Sequence, residues 1–364
     1  MTDRPYQVVV AGGGPAGAVT ALSLARAGLR VLLVERGPDR RPPLGETLPA
    51  AAGRLLRWLG IDAGLAAPHL PCPGTLTVWG SPDPVATSSL LDPEGAGWRL
   101  DRPVFDQRLR AAAELAGVEV RQDTLVSRPV PGDGCGVELE LTGGGRTDRL
   151  RCDWLVDATG RGATLARRLG GRVLVSDRLV ATVGLFDSPD PDARVWLEAV
   201  EDGWWYGALL PDGRRVLARL TEPGLVTVGS AAGSVGLAGL AALAGTQLGG
   251  RLAGAVPAGP SGRRWAGSTR LASGYGPGWV AAGDAVLSFD PLSGRGMLTA
   301  LLTGALAGRA LAAHLAGEPD ALAGYQRAVQ ALHRDYRSEQ AHYYGLERRW
   351  PAAPFWRARH QRSS

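Results

Sequence analysis

The sequence predicts an α/β chain: a Rossmann-like dinucleotide domain, a β-sheet domain inserted into it, and helices at the C-terminal end. Three observations carry that reading. Residues 8–36, VVVAGGGPAGAVTALSLARAGLRVLLVER, run apolar strand, glycine turn, alanine-rich helix, apolar strand and acid. Residues 166–272 change style into short strand-like pieces, RLVATVGLF, ARVWLEAV, GWWYGALL and RVLARLT. Residues 278–317 then return to strand, turn and long helix.

The elements between follow in order. LGETLPAAAGRLLRWLGI (44–61) places Leu55, Leu56, Trp58, Leu59 and Ile61 on a short helix, and TLTVWG (75–80) has a strand pattern. DRPVFDQRLRAAAELAGVEV (101–120) reads as a helix begun near Arg102-Pro103 and ended at Gly117, leading into a strand. Proline in the first turn and glycine just past the end are the boundary signals. GVELEL, GGGR and DRLRCDWLVDATG read as paired strands around a glycine turn. The dinucleotide domain is therefore discontinuous, at 1–75, 100–165 and 273–317. The inserted substrate domain takes 76–99 and 166–272. Residues 318–364 form a C-terminal helical segment with a basic tail, Arg357, Arg359, His360 and Arg362, which reads as a solvated terminus or a docking point for a partner protein.

Composition narrows the function. The 364 residues are 45% apolar and 21% charged, with a formal charge of +5. The arginines are spread along the chain rather than gathered in a basic arm, so nucleic acid is not expected. There is neither Lys nor Asn. Cys72, Cys135 and Cys152 are too scattered for a disulfide framework or a zinc site, and the five histidines are scattered too, so no metal is expected. No uncharged apolar run reaches the roughly 18 residues of a membrane span, and Asp3 and Arg4 lead straight into the first strand. A cytoplasmic protein is expected.

Gly12, Gly14 and Gly17 satisfy G-x-G-x-x-G. The first allows a tight turn, the second lets a pyrophosphate approach the backbone, and the third lets helix and strand pack closely. Pro15 and Ala16 begin the helix, whose N–H groups and positive dipole end favour phosphate. Glu35, with Arg36 after it, closes the second strand where a ribose hydroxyl needs a carboxylate. Two distant segments then discriminate between dinucleotides. DATG at 157–160 ends an apolar strand, and AAGDAVLSFDPLSGRGM at 281–297 sets Gly283 and Asp284 at a strand end before a loop and helix start. A nicotinamide cofactor has no evident use for either. A flavin does, since its ribityl chain needs an acceptor and its reduced ring gains from a helix N-terminus.

Together these motifs resemble the glutathione-reductase-type (GR2-type) FAD-dependent monooxygenases and halogenases. The resemblance implies FAD, with Asp284 on the ribityl chain, residues 291–297 (Pro291, Gly294, Gly296 and Met297 among them) beside the isoalloxazine, and Gly160 among the cofactor-binding residues; no His or Cys lies in the phosphate turn, so non-covalent FAD is expected. It also places Arg102 on the cofactor and the loop of Gly45 and Glu46 by the flavin; a surface ion pair is the competing reading of Arg102 and Glu46. Residues 197–221 and 348–360 resemble, more narrowly, the flavoprotein maturases of quinone-containing amine and amino-acid oxidases, which hydroxylate a tryptophan in a partner polypeptide.

The chemistry so implied is a monooxygenase: reduced FAD forms a hydroperoxide with dioxygen and transfers oxygen to an aromatic ring, free or peptide-bound. Glu46 and Asp290 are the expected acid/base helpers. Trp204, Trp205 and Tyr206 alternate across a strand, so at least one faces a substrate or all three pack the core. Halogenases of this type use a lysine that the chain does not have, and arginine cannot act as that nucleophilic amine. A reductase or dehydrogenase of a lipid-like substrate is the alternative. No second credible dinucleotide turn follows a strand, so electrons come from transiently bound NAD(P)H or a separate flavin reductase.

Overall fold

The computed structural model describes residues 6–37, 46–61, 68–89, 93–132, 136–225, 243, 245–259 and 261–361. Its centre is a six-stranded sheet in the order Tyr275–Gly276, Trp279–Ala281, Trp154–Asp157, Val8–Ala11, Val31–Val34, Glu119–Arg121. All neighbours are parallel except the antiparallel edge strand Tyr275–Gly276. Strands buried on both faces need continuous apolar runs, and Val8, Val9 and Val10 are fully buried. The predicted helix over 101–120 forms as Arg102–Leu115, with Asp101 Oδ1 accepting from Val104 N at 3.2 Å as its cap. The short helix forms as Ala52–Trp58. The strands around GGGR form an antiparallel pair, Val137–Gly143 with Arg146–Cys152.

The helix Gly296–Leu315 is long and apolar enough to cross a membrane by length and composition, and half of its apolar window is buried inside the fold. Its small residues explain where it goes. A Cβ on Gly304 would lie 2.5 Å from the Ala16 carbonyl oxygen, and one on Gly308 would lie 2.9 Å from that of Thr20. The helix therefore crosses Pro15–Arg26 with the two backbones in near contact, and Thr20 Oγ1 donates to Gly304 O at 3.0 Å. This contact ties the return segment to the glycine turn.

The region 166–272 contributes most of an eight-stranded sheet. Its order is Val256–Pro257, Val180–Asp187, Arg215–Thr221, Gly203–Leu209, Val195–Val200, Gly74–Val78, Val85–Ser88, with Gly262–Trp265 also pairing with Val180–Asp187. Alternation puts Trp204 and Tyr206 on one face, with Tyr344, Phe355 and Trp356, and Trp205 on the other, with Trp196 and Leu248.

The C-terminal end corrects one expectation. Residues 354–360 form the helix Pro354–His360, with Phe355 and Trp356 fully buried and Arg359 only 4% exposed. Arg359 Nη1 bonds Glu222 at 3.1 Å, and its guanidinium lies 3.5 Å over the Phe355 ring. The segment is an ordered helix rather than a frayed end, because its aromatics bury against the sheet and take Arg359 with them, while Arg357 stays exposed and His360 half-buried; Arg362 lies outside the described residues. Arg359→Ala is expected to lower stability by about 2 kcal/mol, read as denaturant midpoint, by leaving Glu222 without its cation.

Candidate active site

The three distant motifs meet at the carboxyl ends of neighbouring parallel strands, since Ala11, Asp157 and Ala281 each end a strand adjacent to the next. This edge is where open α/β sheets bind ligands. The glycines there divide into two kinds. Gly12 has φ +106°, and a Cβ on it would lie 2.3 Å from the Ala158 carbonyl oxygen; on Gly17 it would lie 1.8 Å from Gly12 O. These two build the turn and its packing. A Cβ on Gly14, Gly160, Gly294 or Gly296 would meet nothing within 4 Å. Those four face open space, and the cradle they leave fits a flat dinucleotide laid along the strand ends.

Further features match an anionic ligand. Neither Pro15–Arg26 nor Gly296–Leu315 has a side-chain cap at its N-terminus or an acid in its first turn, so both positive ends stay available. Pro15, Ala16, Gly283 and Met297 are buried at these helix starts, and Pro291 is partly buried. Glu35 braces the turn: one oxygen accepts from Gly13 N at 2.6 Å and the other from Gly37 N at 3.1 Å. Each carboxylate oxygen keeps capacity for another donor. Arg36 is exposed, and Gly45 lies outside the described residues.

DATG has a role that its sequence pattern did not reveal. Asp157 is fully buried and accepts from Thr159 N, Thr159 Oγ1, Leu165 N and Ala166 N at 2.6–2.9 Å. It folds the loop over the helix Thr164–Arg168 and so shapes the backbone at Gly160. Arg161, the next residue, was also missed. Its Nε pairs with Asp284 at 3.1 Å, while Nη1 and Nη2 donate to Gly267 O and Phe289 O at 3.0 and 2.6 Å. Adjacency to DATG was the available signal. One third of the Asp284 side chain remains exposed, and burial pushes its carboxyl above the ordinary value against the pull of Arg161.

Glu46 and Arg102 are brought together. Arg102 Nη1 meets Glu46 at 3.0 Å, and Nε and Nη2 bond both Asp106 oxygens at 3.1 and 2.9 Å. Burial alone would lower the Arg102 guanidinium, and the two carboxylates outweigh it and raise it. Burial also raises Asp106 despite Arg102. About a quarter of each of the Glu46 and Arg102 side chains is exposed, and both lie close enough to Asp284 to act on its carboxyl, Glu46 raising it and Arg102 lowering it. Next to it, the fully buried Arg99 bonds Thr47 Oγ1 and, at 3.1 Å, Tyr206 Oη. Arg99 escaped the sequence reading because its partners lie 52 and 107 residues away.

The aromatic triplet is buried throughout: Trp204 0%, Trp205 3% and Tyr206 8% exposed. Trp204 Nε1 donates to Tyr344 Oη at 3.1 Å, and Trp205 lies under the Arg219 guanidinium at 5.1 Å. Burial raises the Tyr206 phenol, and Tyr206 is the member joined to the Thr47 and Arg99 edge of the site. Asp290 is 1% exposed; Oδ1 accepts from Leu292 N at 2.7 Å, and Oδ2 accepts from Gln340 and Tyr344 at 3.0 and 2.8 Å. It caps the Pro291–Ser293 turn from beneath. Among the described residues no group of three or more His, Cys, Asp or Glu could hold a metal ion.

A Rossmann-type cradle of three strand-end segments, joined to the second sheet through Arg99–Tyr206 and Asp290–Tyr344–Trp204, is the arrangement of a dinucleotide-binding protein. The chain belongs to the FAD binding domain family, whose model matches residues 5–214. It is an FAD-dependent oxidoreductase, similar to LodB of Marinomonas mediterranea, at 29% identity over 98% of this chain and 97% of LodB. Among solved structures it resembles QhpG, a peptidyl tryptophan dihydroxylase essential for tryptophylquinone cofactor biogenesis. That match has TM-score 0.78 and 27% identity over 98% of this chain and 79% of QhpG. The flavin-dependent halogenase CmlS shares the fold, with TM-score 0.86 and 24% identity over 99% of this chain and 68% of CmlS.

Proposed function

We propose that this protein is an FAD-dependent monooxygenase that hydroxylates an aromatic ring, specifically a tryptophan within a partner polypeptide. The observation that carries the reading is the match to QhpG across nearly the whole chain, because that enzyme acts on a peptidyl tryptophan. Two features support it. The 364 residues contain no lysine for the halogenase mechanism. A recess of about 460 Å³, lined by Ser293, Arg295, Ser338, Glu339, His342 and Tyr343, opens beside the turn that follows Asp290.

When bound, FAD supplies the redox chemistry that activates dioxygen, drawing electrons from NAD(P)H or a separate flavin reductase. The chain's part is binding, orientation and protons. The Gly12–Gly17 turn and the Pro15–Arg26 helix start hold the pyrophosphate, and Glu35 the adenosine ribose. Asp284, steadied by Arg161, receives the ribityl hydroxyls. Gly294 and Gly296 admit the ring beside Met297 and the uncapped start of Gly296–Leu315. Glu46, oriented by Arg102, is the acid/base group at the border of the site. Asp290 acts on the turn rather than on substrate, and the Trp204–Tyr206 sheet closes the site against water.

The test supplies reduced holoenzyme with oxygen, excess bromide, and either free tryptophan or a tryptophan-containing polypeptide. Oxygenated polypeptide without brominated product is expected. Bromination, or turnover that persists without oxygen, would contradict the reading.

A further inference from the structure

Below the turn assigned to the flavin lies a polar network that the proposed reaction does not use. Asp290 and Asp177 are 1% and 5% exposed, and both accept from the Gln340 amide Nε2, each at 3.0 Å. Tyr344 donates to Asp290 Oδ2 at 2.8 Å while accepting from Trp204 Nε1 at 3.1 Å. Tyr336 Oη accepts from Asp290 N at 3.1 Å, bonds Ser268 Oγ, and stacks its ring on Phe289 at 4.0 Å between centroids. Three residues of the single helix Ala321–Leu346 thus grip the segment Phe289–Asp290.

The neutral donors are the informative part. Among the described residues, Asp290 receives Leu292 N, the Gln340 amide and the Tyr344 hydroxyl, with no cation in direct contact. A fully buried carboxylate without a cation is costly; burial and the Asp177 charge hold it well above the ordinary carboxylate range. An apolar residue would have made a cheaper core here. What the carboxylate adds is geometry: one oxygen closes the Pro291–Ser293 turn and the other fastens it to the helix.

We infer that Tyr344 and Gln340 are positioning residues, acting through Asp290 to set the flavin-facing turn 291–297 and, through Tyr344, linking that turn to Trp204 of the substrate sheet. The inference rests on the assignment of this turn to the flavin, and on nothing about the substrate. The charged and titratable groups facing Asp290 are Asp177 and Tyr336, Arg337 through its bond to Gln340, Arg359 over the Tyr344 ring at 5.2 Å, and Arg161 on Phe289 O. Protonation of Asp290 weakens its carboxyl as an acceptor for Leu292 N, Gln340 and Tyr344, so FAD binding weakens as pH falls through the range where this raised carboxyl takes up its proton.

The test measures FAD affinity and the visible flavin spectrum of the full chain from pH 5 to 8. Tyr344→Phe keeps the ring and removes the hydroxyl; Gln340→Leu removes the amide. Each is expected to weaken FAD binding about tenfold at pH 7 and to change the flavin band. Tyr344→Phe should also move the pH midpoint upward, because the carboxylate has lost a donor. Trp356→Phe is the comparison: Trp356 lies 6.1 Å from the Tyr344 ring and makes no bond to Asp290, so it should lower stability with FAD affinity unchanged. If Tyr344→Phe and Gln340→Leu lower thermal stability but keep wild-type affinity, spectrum and midpoint, the inference is overturned. No product is assayed, so this outcome is independent of whether the chain hydroxylates tryptophan.

Discussion

Gly14→Val is expected to fold normally and lose FAD, whereas Gly17→Ala is expected not to fold. The contrast comes from two glycines of one motif. A Cβ on Gly14 meets nothing within 4 Å, and its φ of −74° suits any L-residue, so the free protein has room for valine. That room is where a pyrophosphate lies against the backbone, and two methyl groups there displace it. FAD affinity should fall at least about a hundredfold, the loss of a few charge-assisted bonds, with circular dichroism and apoprotein melting unchanged. At Gly17 a Cβ would sit 1.8 Å from Gly12 O, a backbone atom that cannot yield without opening the strand–helix contact. A normally folded Gly17→Ala protein would contradict the strand–helix packing, and full FAD affinity in Gly14→Val would show that the turn does not hold the cofactor as described.

Arg102→Leu carries the second large effect. It leaves Glu46 and Asp106 facing a site without the cation that both now bond. Removing one member of a part-buried ion cluster costs about 3 kcal/mol, so the denaturant midpoint at pH 7 should drop accordingly. The sign with pH follows from which groups are charged. Burial already raises Asp106 with Arg102 present, and without Arg102 its carboxyl rises further. Asp106 protonates as pH falls, which relieves its repulsion with Glu46, so the deficit of Arg102→Leu should shrink toward pH 4 and be greatest at neutral pH. A deficit independent of pH would mean that Arg102 acts through packing alone.

How much of this was legible in the sequence depends on the range over which each feature is determined. The glycine turn, Glu35 and the start and stop of Arg102–Leu115 are set by neighbours within a few residues, and the structure forms them where the pattern placed them. The face alternation of Trp204, Trp205 and Tyr206 follows from strand geometry alone. What the pattern did not convey is what each face meets. Trp204 is sealed by Tyr344 from a helix 140 residues later, and Arg99 reaches Tyr206 across 107 residues. Composition misled at the C-terminus, where Arg357, Arg359 and His360 suggested a solvated basic tail. Phe355 and Trp356, spaced among those same charges, decide the outcome by burying the helix and taking Arg359 with them.

Asp157 shows a subtler limit. DATG was readable as part of the cofactor edge, and its position at the strand end agrees. The acid itself spends its oxygens on backbone N–H groups of the following loop, so it shapes the site without facing the ligand. The residue that does reach across is Arg161, one position beyond the motif.

Oxygen transfer from a flavin to an aromatic ring leaves its mark in the product, which isotope-labelled dioxygen reads. Reduced holoenzyme, a tryptophan-containing polypeptide and ¹⁸O₂ should give a product whose added oxygen is ¹⁸O and resides on the indole. Unlabelled oxygen in the product, or an unmodified indole after complete flavin reoxidation, would contradict the account.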